Sequence, residues 1–152
     1  MRIIALFLIL PVGFLFVKSY LSYKRETLDM IEQLVGFFAF LEQGIRSRLA
    51  PIPDLVKEYE CDRRLKILLS FPDKMNSSRV SCIIPQDKMK TIVSILTDSG
   101  EIGFSRLADK AGSECESLSA LLKTEREAFS REERIYPLLA LAACAGIFIL
   151  LI

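Results

Sequence analysis

The chain carries a long run of residues without charged side chains at each end. Residues 3–17 contain no Asp, Glu, Lys or Arg over 15 positions, and residues 135–152 contain none over 18. A helix needs roughly 20 mostly apolar residues to cross a hydrocarbon core about 30 Å thick. A sequence of 152 residues with two such runs leaves room for one domain between two predicted membrane spans.

The N-terminal run reaches membrane length when it extends over residues 3–23. Lys18 is then expected to reach the headgroups through its flexible stem, with Tyr20 at the interface. A cleaved signal peptide is the alternative, but bulky and basic residues follow Val17 instead of a small-residue cleavage site. We therefore favour an uncleaved anchor.

The C-terminal run predicts a second span over residues 135–152, since 18 uncharged residues at this position suit a membrane better than a buried core helix. Orientation follows from Lys and Arg near the spans. These cluster on the inner side of both runs, at Lys18, Lys24, Arg25, Arg131 and Arg134. The positive-inside rule therefore predicts a cytosolic domain over residues 24–134, with both termini across the membrane.

Apolar residues recur every three or four positions along the first part of this domain, which predicts a long amphipathic helix continuous with the first span. This stripe consists of Leu28, Ile31, Leu34, Val35, Phe38, Leu41 and Ile45. Pro51 and Pro53 then end that helix and start a short second one. Residues 71–86 are rich in turn-forming residues and predict a loop.

Pro85 opens a further short helix, with Met89, Ile92, Val93 and Leu96 expected on its buried face. Beyond Gly103, a second long amphipathic stretch leads into the C-terminal span. The sequence therefore predicts an all-α chain. It has two long antiparallel helices, continuous with the N- and C-terminal transmembrane spans, and two or three short helices beside them.

The sequence holds no pattern typical of an active site. It has no histidine, no Gly-rich phosphate-binding motif and no nucleophile motif. Neighbouring carboxylates such as Glu132 and Glu133 point to different sides of a helix, and we expect them to be solvated. We predict a protein that is not an enzyme and has no cofactor.

The four cysteines, Cys61, Cys82, Cys115 and Cys144, lack metal-site spacing, so no metal is expected. We predict buried or membrane-embedded thiols in a reducing compartment. Between the two runs, residues 18–134 hold 19 basic and 19 acidic side chains. This balance gives no reason to expect nucleic acid as a partner.

Residues 41–59, LEQGIRSRLAPIPDLVKEY, resemble the corresponding stretch of the stage III sporulation protein AB family. The shared features are a Leu-Glu pair, an Ile three residues on, and a proline-led second helix. They correspond here to Leu41, Glu42, Ile45, Pro51 and Leu55. The C-terminal layout of a short helix, a long charged helix and a final span is also similar. The chain departs from the family where Leu-Gly pairs are usual, at DSGEIGFSRLADK and before the final span.

The resemblance implies a scaffold of the complex that connects mother cell and forespore, in the outer forespore membrane facing the mother cell. It implies a fold like the cytosolic domains of the F-type platform proteins of type II secretion and type IV pilus machines. The implied partners are a cytosolic secretion-type ATPase, other stage III sporulation proteins and a second copy of the chain. Contacts are then expected at Glu42, Arg46 and Arg48, which border the turn between the first two helices.

A membrane-bound regulator or accessory subunit of a transporter is the alternative function. A subunit that conducts a solute should carry ionisable residues inside its spans. Only Lys18 at the boundary of the first span meets this description. Conduction by this subunit alone is therefore disfavoured.

Overall fold

The protein is described here by a computed structural model, which covers the backbone of residues 2–98 and 103–151 and the side chains of residues 11–98 and 103–147. These residues form helices and no strand, which confirms the predicted all-α class. The five α-helices are α1 (Arg2–Arg48), α2 (Ile52–Glu58), α3 (Arg63–Ser70), α4 (Gln86–Leu96) and α5 (Phe104–Leu151).

The chain divides into two units, and both contain parts of α1 and α5. The first unit comprises residues 1–26 and 124–152, and the second comprises residues 27–123. In the second unit the two long helices lie in contact and run antiparallel. Glu42 of α1 lies beside Gly112 of α5, and Arg46 further along α1 bonds Asp109, which comes earlier in α5.

The core of the second unit is built on the predicted stripe of α1. Every member of that stripe is buried except Val35, which is half-buried. Phe37 is also fully buried, and its ring packs edge-on against Phe38 and Tyr59, with centroids 5.8 and 5.3 Å apart. The buried face of α1 is therefore wider than the periodicity alone indicates.

The short helix α2 follows Pro51 as predicted, and Ile52, Leu55 and Val56 are buried on it. Gly44 of α1 lies directly under this helix. A Cβ atom on Gly44 would lie 2.6 Å from Cδ2 of Leu55, so any larger residue would force the buried Leu55 side chain to shift.

The predicted loop over residues 71–86 is wrong for most of its length. The chain there forms two 3-10 helices, Pro72–Ser77 and Arg79–Cys82, and α4 begins at Gln86. Met75, Val80 and Ile84 are buried. Their irregular spacing fits no single helical period, so only tertiary packing reveals that they belong to the core.

The predicted buried face of α4 is partly wrong. Met89 and Ile92 are buried as expected, but the third buried residue is Ile95, while Val93 and Leu96 are half-buried. The difference is a small rotation of the helix about its axis. Two adjacent apolar positions satisfy a helical period equally well, so the period alone does not decide between them.

In the first unit, two consecutive carboxylates of α5 bond two consecutive cations of α1. Lys24 Nζ lies 2.8 Å from Glu132 Oε2, and Arg25 lies 2.7 Å from Glu133 Oε1. Glu133 is exposed as expected, whereas Glu132 is half-buried. The ion pairs that both carboxylates form between the helices were not predicted. In the same unit Tyr20 packs edge-on against Tyr136 at 5.6 Å.

Within the described part of the chain, no helix has both the length and the apolar character needed to cross a membrane. The predicted spans extend beyond the described side chains, because residues 3–10 and 148–152 lie outside them. The spans over residues 3–23 and 135–152 therefore stay a prediction.

The cysteines are less buried than expected. Cys82 is exposed, while Cys61, Cys115 and Cys144 are half-buried, and all four are free thiols. A thiol is small, so leaving it partly exposed costs less than exposing a large apolar side chain. The expectation is wrong for Cys82, whereas the embedding of Cys144 depends on the span over residues 135–152 and stays a prediction.

Candidate protein-interaction surface

The C-terminal end of α1 stops at a residue in an unusual backbone conformation. Leu49 has φ of 52°, in the left-handed region, and its N–H donates to the Ile45 carbonyl at 3.2 Å. Helices often end in this way, but the residue in that position is usually glycine, because a Cβ atom is strained there. The Leu49 side chain is also 61% exposed. A large apolar residue is therefore held in solvent at a conformational cost.

Leu49 forms part of a groove between the end of α1 and the start of α5. The groove has a volume of about 370 Å³ and is lined by Ile45, Arg46, Leu49, Phe104, Ser105, Ala108 and Asp109. Phe104, the first residue of α5, is 46% exposed. Two large apolar side chains therefore stand at the surface of one concave site.

Arg46 joins the two helices along one side of this groove. Its guanidinium donates to Glu42 at 3.1 Å and to Asp109 at 2.8 Å. Arg46 and Asp109 are more than half exposed, so each ion pair contributes little to stability, roughly 0.2–1 kcal/mol. The groups remain accessible to a partner that offers competing hydrogen bonds.

The Glu42 side chain is less exposed than those of Arg46 and Arg48, and it packs against α5. A Cβ atom on Gly112 would lie 2.9 Å from the Glu42 carboxyl carbon, so glycine makes the room for this carboxylate. Burial raises the pKa of the neighbouring Cys115 thiol, and the negative charges of Glu42 and Glu116 raise it further. Cys115 is therefore a poor nucleophile, and its thiol instead contacts the Val35 carbonyl at 3.6 Å.

Of the three residues predicted as contacts, the structure brings Glu42 and Arg46 together. Arg48 is separate from them, since it points to α2 and bonds Glu58 at 2.8 Å. The groove residues Leu49 and Phe104 were missed by sequence reasoning. The available signal was the place of Leu49 in the short connection between α1 and α2, since such connections run over the surface.

The described side chains contain no cluster of three or more His, Cys, Asp or Glu residues arranged to hold a metal ion. An apolar groove beside charged groups can instead take an apolar side chain of a partner protein, while the charged rim fixes the orientation of that partner.

Comparison with protein-family models, with curated proteins and with solved structures found no match to this chain.

Proposed function

We propose that the chain is a non-enzymatic membrane scaffold of the sporulation channel, a secretion-like complex that links mother cell and forespore. Its helical domain, residues 24–134, docks a cytosolic secretion-type ATPase and other stage III sporulation proteins. The spans over residues 3–23 and 135–152 hold it in the outer forespore membrane. The observation that carries the proposal is the exposed groove formed by Leu49 and Phe104.

The resemblance to the stage III sporulation protein AB family supports a common fold more than a common contact. Leu41, Ile45 and Leu55, which match the family pattern, are buried, and Pro51 precedes α2. These residues build the turn between α1 and α2. We therefore expect a partner to contact the exposed residues beside that turn, above all Leu49.

The chemistry of the groove supports a protein partner. Residues that dominate protein interfaces are large side chains near the centre of a site that loses water on binding. Leu49 and Phe104 supply such side chains, and Arg46 supplies a hydrogen-bonding rim. The strained backbone of Leu49 also supports a binding role, because strained residues are retained more often at binding sites than where they serve folding alone.

The distribution of basic residues supports the proposed orientation. Lys18, Lys24 and Arg25 follow the first uncharged run, and Arg131 and Arg134 precede the second. An excess of Lys and Arg beside spans marks the cytosolic side. The groove then faces the compartment that holds a cytosolic ATPase.

The test is co-purification from sporulating cells of the natural host, with an N-terminal affinity tag and solubilisation in mild detergent. Wild type, Leu49→Gly and Phe104→Ala are compared with Ile67→Ala, which removes an exposed apolar side chain of α3 outside the groove. Bound proteins are identified and quantified by mass spectrometry.

Wild type and Ile67→Ala are expected to retain a secretion-type ATPase or other stage III sporulation proteins. The two groove variants should retain about tenfold less, the effect of losing one central apolar contact. Recovery of a transporter alone contradicts the scaffold function and favours the alternative of a transporter accessory. Equal recovery by all four proteins contradicts the groove as the docking site.

A further inference from the structure

The first unit contains a second groove, which the docking function does not use. It has a volume of about 420 Å³ and lies between the N-terminal part of α1 and the C-terminal part of α5. Its lining residues are Phe14, Val17, Lys18, Leu21, Ser22, Arg25, Glu133 and Pro137. The α1 residues are spaced by three and four positions, so they form one face of that helix.

The polarity of this groove changes along the axis of α1. Phe14 and Val17 make the first part apolar, and Lys18, Ser22 and Arg25 make the second part polar, although Leu21 lies among them. From the first to the last of these residues the helix rises by about 16 Å. An apolar part followed by a polar part over this length matches the upper acyl chain and headgroup of a phospholipid.

The charges of the groove favour an anion. It holds two cations and one carboxylate, and the carboxylate of Glu133 is already paired with Arg25 at 2.7 Å. Lys18 is exposed and has no ion-pair partner among the described residues. The free positive charge of the groove is therefore Lys18, which directly follows Val17 and begins the polar part.

We propose that this groove binds one anionic phospholipid, with the headgroup phosphate on Lys18 and an acyl chain along Val17 and Phe14. The inference rests on the membrane location in the proposed function. A zwitterionic lipid of the same chain length fills the apolar part equally well but lacks the net negative charge. Selectivity for a negative headgroup is therefore the specific consequence of the unpaired lysine.

The test uses the full chain purified in detergent and titrated with dioleoyl phosphatidylglycerol or dioleoyl phosphatidylcholine. Native mass spectrometry counts the bound lipids. Lys18→Gln is the test variant, and Arg134→Gln is the matched control, since it removes one exposed positive charge near the other predicted span but outside the groove. Circular dichroism checks that each variant keeps its helix content.

Wild type should bind one phosphatidylglycerol more tightly than phosphatidylcholine, and Lys18→Gln should weaken phosphatidylglycerol binding about fivefold. Arg134→Gln should bind like wild type. Equal binding of the two lipids by wild type overturns the proposal. An equal loss in both variants also overturns it, because the attraction then comes from the general surface charge and not from the groove.

Two further experiments distinguish a lipid from free phosphate as the ligand, and failure of the lipid site from failure of the proposed membrane location. Inorganic phosphate at the concentration of the lipid should not displace phosphatidylglycerol, and displacement would overturn the role of the apolar part. Flotation with phosphatidylcholine vesicles tests the membrane location by itself. A chain that does not float contradicts both proposals, whereas a chain that floats without preference for phosphatidylglycerol contradicts only the lipid site.

Discussion

Because Leu49 has a left-handed backbone conformation, we predict that glycine at this position gives a more stable protein than alanine, the reverse of the usual order in a helix. Inside a helix, glycine is less stable than alanine by about 1 kcal/mol. At φ of 52° the order changes, because alanine still carries the Cβ atom that is strained there. Leu49→Ala and Leu49→Gly both remove the exposed side chain, so the difference between them isolates the backbone conformation.

The magnitude follows from two opposing effects. Relief of the left-handed strain favours glycine by about 1–2 kcal/mol. The greater freedom of glycine in the unfolded chain favours alanine by about 0.4–1 kcal/mol. Leu49→Gly should therefore be more stable than Leu49→Ala by about 1 kcal/mol, which raises the melting temperature by about 3 °C in a chain of this size.

Thermal melts of the full chain in detergent, followed by far-UV circular dichroism, provide the measurement. Gln43 is the control site, since it is exposed within α1. At this site the usual order should hold, and Gln43→Gly should melt about 3 °C below Gln43→Ala. If Leu49→Gly melts at or below Leu49→Ala, the assignment of strain at the end of α1 is wrong.

Three other variants test the packing and the ion pairs. Gly44→Ala should destabilise the chain by about 1–3 kcal/mol, because its Cβ would lie 2.6 Å from Leu55, and adding Leu55→Ala should cost less than the two separate losses together. Leu34→Ala should lower the free energy of unfolding by about 2–5 kcal/mol in denaturant titrations, since Leu34 is fully buried. Glu132→Gln should cost about 1 kcal/mol at neutral pH, because it leaves the partly buried Lys24 with a weaker partner.

The last of these variants has a defined pH dependence. Burial lowers the pKa of Lys24, but the hydrogen bond and the charge of Glu132 outweigh it, and the pKa lies above the usual 10.5. A raised lysine pKa stabilises the folded state below pH 10.5, and this contribution is lost as pH rises through the folded-state pKa. The melting difference between wild type and Glu132→Gln should therefore shrink at strongly alkaline pH, and an unchanged difference would contradict this account.

The sequence predicted the helices well where one face is buried along many turns. Seven regularly spaced residues define the core face of α1, and the structure buries six of them, with Val35 half-buried. The boundary at Pro51 was also predicted, because proline restricts its own backbone and that of the residue before it. These are local constraints, which the sequence carries directly.

The parts that were missed depend on which residues meet in space. The pair Lys24 and Glu132 joins positions 108 residues apart, and its register depends on how α1 and α5 pack in the first unit. The groove at Leu49 and Phe104 likewise requires the end of one long helix to meet the start of the other. Periodicity describes each helix alone, so it predicts faces but not the residues that they contact.

Both the docking surface and the lipid groove depend on a membrane protein with a cytosolic helical domain, and one labelling experiment tests that claim directly. Cys82 is exposed in the second unit, so a variant with serine at the other three cysteines reports the location of this domain. Protoplasts are treated with a membrane-impermeant maleimide, intact or after permeabilisation. The account predicts that Cys82 is protected in intact protoplasts and labelled only after permeabilisation. Equal labelling of Cys82 before and after permeabilisation, or recovery of the chain in the soluble fraction of lysed cells, would contradict it.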